Sequence, residues 1–226
     1  MKQKLSLQWR AIILVFSIML SLIYSGIVLA KGWEKVGTFD GVKVSRKVVK
    51  DSPLFAFRGV TETELPLDQI IATFTDPAQR KYWVNRYAEH VTIEKTPLSE
   101  TYWIHFALPP LVSDRDYVLK SIATVNEDKG TIEVNIKSVT HPDYPVKCCV
   151  RAQVKGTYYK FTALSPKRTK LEVEVHTDPK GLLPNVLVNL IQKKWPSKTL
   201  SGLIRRASEV KGSHPKTREW MKKRFK

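Results

Sequence analysis

Along the second half of the chain, apolar and polar residues alternate with a period of two. Leu171, Val173 and Val175 interleave with Lys170, Glu172, Glu174 and His176, and Ile132, Val134 and Ile136 interleave with Glu133, Asn135 and Lys137. Successive strand residues face opposite sides of a sheet, so the pattern predicts antiparallel strands with one wet face. The same reading predicts strands over 91–95, 101–107, 116–126, 130–140, 146–156, 157–164 and 169–177. Asn126-Glu127-Asp128-Lys129-Gly130 and Ser165-Pro166-Lys167-Arg168 read as hairpin turns. Earlier in the chain, Phe39-Asp40-Gly41-Val42 reads as a turn between two short strands, and 55–63 follows as another strand.

In two places the period becomes that of a helix. Leu67, Ile70, Ile71 and Phe74 share one helical face, which ends at Thr75-Asp76-Pro77. Asp76 stands where it can cap a short helix over 77–82 that delivers Trp83. Later, Asp178-Pro179-Lys180-Gly181-Leu182-Leu183-Pro184 reads as a strand end, a glycine turn and a proline in a first helical turn, where its missing N–H costs nothing. Val186, Leu187, Leu190, Ile191, Leu200, Leu203 and Ile204 then recur at helical spacing over 185–210. Pro196 inside that stretch predicts a kink or a local end. Runs of hairpins, two short helices and one long terminal helix make the class α+β.

At several of these residues the chain resembles a known family. Ser113-Asp114-Arg115-Asp116-Tyr117-Val118, Asp178-Pro179-Lys180-Gly181-Leu182-Leu183-Pro184 and the helix carrying Lys194-Trp195-Pro196-Ser197-Lys198-Thr199-Leu200, with Trp83 ahead of them and Val150-Arg151 between the first two, resemble the START (StAR-related lipid transfer) domain. The resemblance covers nearly everything after residue 31. It implies a helix-grip fold, in which a curved antiparallel sheet wraps a long C-terminal helix with a hydrophobic tunnel between them. It also implies binding or transfer of one lipid-like molecule, with no reaction and no cofactor. On that reading Leu182, Leu183, Val186, Leu187, Leu190 and Lys194 form the roof and rim, and Leu111 belongs to an apolar loop (108–112) at the gate. Plain packing explains that loop equally. Sterol-binding relatives place an acid and a base inside the tunnel. Here Ser121 stands six residues after Arg115 and no acid stands out on the preceding strand, which speaks against a sterol.

The first 30 residues form a separate segment: Lys2, Lys4 and Arg10 precede an almost unbroken apolar run from Ala11 to Ala30. Val28-Leu29-Ala30 fits a signal-peptidase site, so 1–30 reads as an export signal; an uncleaved membrane anchor is the second reading. Either way the flanking positive charge stays inside and the domain, 31–210, lies outside the cytoplasm, in the periplasm or secreted. The formal charge is +17. Without Lys2, Lys4 and Arg10, 35 basic side chains face 21 acidic ones, or +14. Such an excess favours an anionic partner. Export makes nucleic acid a poor choice and an anionic bilayer a good one; a basic soluble surface without a special partner is the alternative. The basic tail, 211–226, sets Lys222, Lys223 and Arg224 beside Trp220 and Phe225. Charge and interfacial aromatics make it a membrane contact, or else it is a solvated tail. A monomer is expected.

No catalytic constellation stands out: G-x-S-x-G, a P-loop and H-E-x-x-H are all missing, and none of the five histidines pairs at metal-ligand spacing. Cys148 and Cys149 are adjacent and read as free thiols, since strand neighbours point apart. His105 shares a strand face with Trp103; if that face lines the cavity, both meet the ligand, and otherwise His105 is an ordinary hydrogen-bonded histidine. Arg115 either orients a polar head group or fixes a loop through bonds to carbonyls. A second function class is a helix-grip cyclase or hydrolase acting on a hydrophobic substrate, which requires polar groups such as His105 and Arg115 to converge in the tunnel. A third is a non-lipid module that uses the basic surface.

Overall fold

The structure, a computed structural model, describes residues 32–110, 112–144 and 149–226. The expected export signal and Leu111 lie outside the described residues. Residues 32–226 form one compact unit. Its strands are β1 (Glu34–Phe39), β2 (Val42–Lys47), β3 (Ala56–Thr63), β4 (Tyr87–Lys95), β5 (Ser99–Phe106), β6 (Arg115–Asn126), β7 (Thr131–Ser138), β8 (Val150–Arg151), β9 (Gln153–Ser165) and β10 (Arg168–Asp178). They make one curved sheet in the order β1-β2-β3-β10-β9-β7-β6-β5-β4, antiparallel throughout except that β8 pairs parallel with β6. The helices are α1 (Leu67–Thr75), α2 (Arg80–Trp83), α3 (Asn185–Gln192), α4 (Trp195–Val210) and α5 (Pro215–Arg224), with a 3-10 turn over Pro77–Gln79.

Local chemistry accounts for most boundaries. Asp76 accepts a hydrogen bond from the Ala78 amide at 2.9 Å and so starts the 3-10 turn, as its position predicts. Gly41, at φ 76°, supplies the left-handed turn between β1 and β2. The alternating strands bury their apolar face under α4, whose Leu200, Leu203 and Ala207 are fully enclosed. Two glycines permit that approach. A Cβ on Gly59 in β3 would sit 2.7 Å from Cβ of Pro196, and one on Gly202 would sit 2.9 Å from the Trp83 carbonyl oxygen.

The terminal helical segment ends locally beside Pro196, as expected: α3 ends at Gln192 and α4 starts at Trp195, because Pro196 has no N–H to continue the ladder and fits only a first turn. Three expectations need correction. The strands expected over 146–156 and 157–164 are one strand, β9, preceded by the short β8; Gly156 stays in register opposite His176. Cys149 is disulfide-bonded, not a free thiol. The tail is not a separate appendage, since it folds as α5 against α1. Asp68 of α1 accepts from Ser213 Oγ at 2.5 Å and from Arg218 Nε at 3.0 Å, and Arg224 donates to the Glu127 carbonyl at 3.1 Å. Trp220 and Met221 are buried in the core and Phe225 packs against it. Burial there denies Trp220 the membrane contact expected of it, while Phe225 is only partly buried. Lys222, Lys223 and Arg224 stay exposed, with Lys223 paired to Glu219 at 3.0 Å.

Candidate functional site

Between the inner face of the sheet and the α3–α4 roof lies a cavity of about 600 Å³. Small-molecule sites span ~300–1,000 Å³. Its floor alternates along two paired strands. Tyr102, Ile104 and Phe106 of β5 lie opposite Leu119, Tyr117 and Arg115 of β6, and all six line it. The roof carries Leu183, Val188, Leu190, Ile191 and Trp195. Its lining runs the length of β5 from Ser99 to Phe106, a stretch of roughly 24 Å at ~3.4 Å per residue. Burial pushes the Tyr102 phenol up to about 12 and raises Tyr117 and Tyr159 as well, so these walls stay uncharged at neutral pH.

The end of the cavity at Glu100 is polar, and its charges are paired. Arg80 of α2 pairs with the Glu100 carboxylate, Thr92 donates to it at 2.8 Å, and His90 lies at 3.5 Å. The Arg80 guanidinium also sits 4.7 Å over the Tyr102 ring and within hydrogen-bond reach of His90. Burial alone would raise the Glu100 pKa. Hydrogen bonds from His90, Arg80 and Thr92, with the Arg80 charge, outweigh it and hold the carboxyl at about 2. This is an acid on the strand before β6, the one the sequence reading missed. It sits three residues before Trp103, on the face of β5 opposite to the one expected to matter, and its base comes from a helix.

At the other end Arg115 is 4% exposed and donates to three carbonyls: Pro179 at 3.0 Å, Lys180 at 3.0 Å and Ser113. It fixes the turn from β10 into α3 while its side chain lines the cavity. Gly181, at φ 75°, keeps that turn tight enough for the guanidinium. Asp178 caps the turn by accepting from the Lys180 amide at 2.9 Å.

Of the expected ligand contacts, Arg115, Leu183, Leu190 and Lys194 line the cavity. Trp103 and His105 do not, which is a correction. Strand parity places them on the outer face: Trp103 Nε1 donates to Asp116 at 2.8 Å, and His105 Nε2 meets Asp114 at 2.9 Å. That face is itself covered, because Arg151 of β8 grips Asp116 at 2.8 and 2.9 Å and the Trp103 ring stacks on Tyr144. Both faces of β5 therefore carry aromatics, and parity could not be read from composition. Leu182, Val186 and Leu187 are a second correction: they point outward, with Val186 82% exposed. Only Val188 of α3 is buried, and Asn189 ties the helix down by accepting from the Phe55 amide at 3.0 Å. Among the described residues no cluster of histidine, cysteine and carboxylates suits a metal ion.

A twisted antiparallel sheet closed by a terminal helix over an apolar cavity is the arrangement that the family comparison then identifies. Residues 22–210 match the START domain family. The chain belongs to the START family. A protein of Pseudomonas aeruginosa described as uncharacterized is 27% identical over 181 residues, which is 79% of this chain and 88% of that one. Among solved structures, human StAR-related lipid transfer protein 5 is similar at a TM-score of 0.73 and 23% identity, over 92% of this chain and 99% of that one. A STAR-related lipid transfer protein from Xanthomonas axonopodis is similar at 0.68 and 22% identity, over 78% and 99% of the two chains. At these identities the structural likenesses speak to the fold, and the helix-grip architecture expected from the sequence is the one observed.

Proposed function

We propose that this START domain binds one lipid-like molecule in the cavity and carries or presents it without changing it covalently. The observation that carries the reading is the cavity itself: a long apolar trough whose one inner ion pair is already satisfied. Two START-fold neighbours are named as lipid transfer proteins, which agrees with it. A reaction would need groups converging on a substrate. His105 faces away from Arg115's cavity, and the described lining includes no histidine, cysteine or aspartate. These features weigh against a cyclase or hydrolase.

The membrane contact belongs to α3 rather than to the tail in this reading. Leu182, Val186, Leu190 and Ile191 are exposed side by side at the cavity roof, with Lys180, Lys193 and Lys194 among them. Apolar side chains beside lysines suit the interface of an anionic bilayer. A single chain acting outside the cytoplasm, as residues 1–30 imply, completes the proposal. The test is purification from the native host, followed by native mass spectrometry and extraction of whatever co-purifies. One lipid per chain is the expected result. A chain that is empty and takes up no lipid from vesicles overturns the reading.

A further inference from the structure

The charges on the cavity wall are unbalanced. Arg80, Arg86, Lys95, Arg115, Lys194 and Lys198 line it, against one acid, Glu100. Arg80 is used by Glu100, and Arg115 by three backbone carbonyls. Lys95 stands opposite Glu100 on the β4–β5 ladder and donates to the Thr75 carbonyl at 3.5 Å. Three cations remain, and they belong to the other end. The Arg86 carbonyl accepts from the Ala107 amide at 3.0 Å, next to Phe106, and Lys194 and Lys198 flank the start of α4 beside α3. All three are exposed while lining the cavity, which places them at its mouth. Among the described residues no carboxylate lies within salt-bridge range of any of them.

The backbone adds to the same potential. The first turn of α4 has no acidic residue and no side-chain cap to offset the positive end of its helix dipole. Like charges gathered without counter-charge at one opening make a positive potential that a bound anion offsets.

We propose that the ligand is an amphiphile with an acidic head group, a carboxylate or a phosphate, held at the mouth by Arg86, Lys194 and Lys198, with its apolar chain lying under α3 along β5. This rests on the lipid-binding reading above and narrows it to one class of lipid. The satisfied Arg80–Glu100 pair asks nothing of the far end of the chain, so the tail terminus needs no polar group.

The test is titration calorimetry of the full chain with palmitate, palmitoyl lysophosphatidate and hexadecanol, each below its aggregation limit. The acids bind about tenfold or more tighter than the alcohol, and that advantage shrinks as salt rises. Whichever acid binds better distinguishes carboxylate from phosphate. A Lys194→Gln/Lys198→Gln double variant loses the preference for acids and keeps its affinity for hexadecanol within about twofold. Equal affinities for acid and alcohol, or a preference that survives in the double variant, overturn the head-group assignment while leaving lipid binding intact. Failure of all three to bind overturns the lipid-binding reading and this inference with it.

Discussion

The two halves of the terminal helical segment carry the same kind of apolar stripe and put it to different uses. In α4 the stripe is spent on the core: Leu200 and Leu203 are fully enclosed against β2, β3 and β10. In α3 only Val188 is buried, while Val186, Leu187, Leu190 and Ile191 stay exposed. Periodicity reports that a helix has an apolar face; it does not say what covers the face. α4 is part of the folded state, whereas α3 is a roof tethered by Asn189 and by the Arg115-pinned turn. Four large apolar side chains left in water on eight residues of helix make sense where a second apolar phase is available.

The sharpest way to break that comparison is to remove the same chemistry from both helices. Leu200→Ala or Leu203→Ala leaves a cavity in close-packed core and lowers stability by about 2–5 kcal/mol in urea unfolding. Leu190→Ser on α3 shifts it by no more than about 0.5 kcal/mol. If Leu190→Ser costs as much as Leu200→Ala, α3 is core and the distinction is lost.

The ion pair at the Glu100 end of the cavity gives the next largest effect. Glu100→Gln leaves the Arg80 charge without its counter-charge in a mostly buried site, and stability falls by about 2 kcal/mol at neutral pH. The pH dependence has a definite sign. The folded carboxyl titrates at about 2 against an ordinary 4.5, so the unfolded chain binds the proton first as pH falls. The stabilisation is complete above about pH 4.5 and is lost as pH drops toward 2. Urea midpoints measured across that window fall more steeply for the native chain than for Glu100→Gln. Parallel profiles for the two would remove the ion pair from the account.

Most of the fold was legible because it is written in local periodicity. Clean alternation marks β7 and β10, and Asp76 and Pro196 punctuate helices by backbone chemistry that needs no tertiary context. The site was less legible, for identifiable reasons. Tyr102-Trp103-Ile104-His105-Phe106 presents aromatics to both faces, and only the pairing of Tyr102 with Leu119 and Ile104 with Tyr117 reveals which is inner. The outer face is covered by β8 and Tyr144, a long-range contact without local signature. Glu100 and Arg80 lie on different elements and become a pair only in the folded chain. The tail looked like a membrane contact because Trp, Phe and lysines suit an interface; Asp68 and the Glu127 carbonyl, far away in sequence, hold it on the domain instead.

The exposed face of α3 can be tested by itself. Replacing Val186 and Leu190 by serine leaves the unfolding midpoint nearly unchanged and weakens flotation with phosphatidylglycerol-containing vesicles by about tenfold, roughly the loss of two partly inserted aliphatic side chains. Substituting Lys222 and Lys223 on α5 has the smaller effect, since Trp220 and Met221 beside them are buried. The opposite ranking would return membrane contact to the tail and leave the α3 face unexplained.

The smallest effect concerns α5, which like α4 buries its apolar residues but depends on a polar cap to start. His214 Nδ1 faces the Thr217 amide at 3.4 Å and the Thr217 hydroxyl at 2.9 Å, and only a neutral imidazole offers the lone pair that accepts there. Burial, reinforced by Lys216, lowers the His214 pKa from 6.5 against a weaker opposing pull from Asp68. A lowered folded pKa means the unfolded chain takes up the proton first. The cap's contribution is therefore present above about pH 6.5 and fades as pH falls through the folded value. A cap of this kind contributes about 1 kcal/mol at most, and His214 is partly exposed, so the expected change is smaller. Near-UV circular dichroism of the buried Trp220 and urea midpoints at about pH 7.5 and about pH 5 read it out. His214→Asn supplies an acceptor that does not titrate and flattens the response. If the native chain and His214→Asn lose stability equally on acidification, α5 is held by Trp220, Met221 and the Asp68 contacts alone, as α4 is held by Leu200 and Leu203.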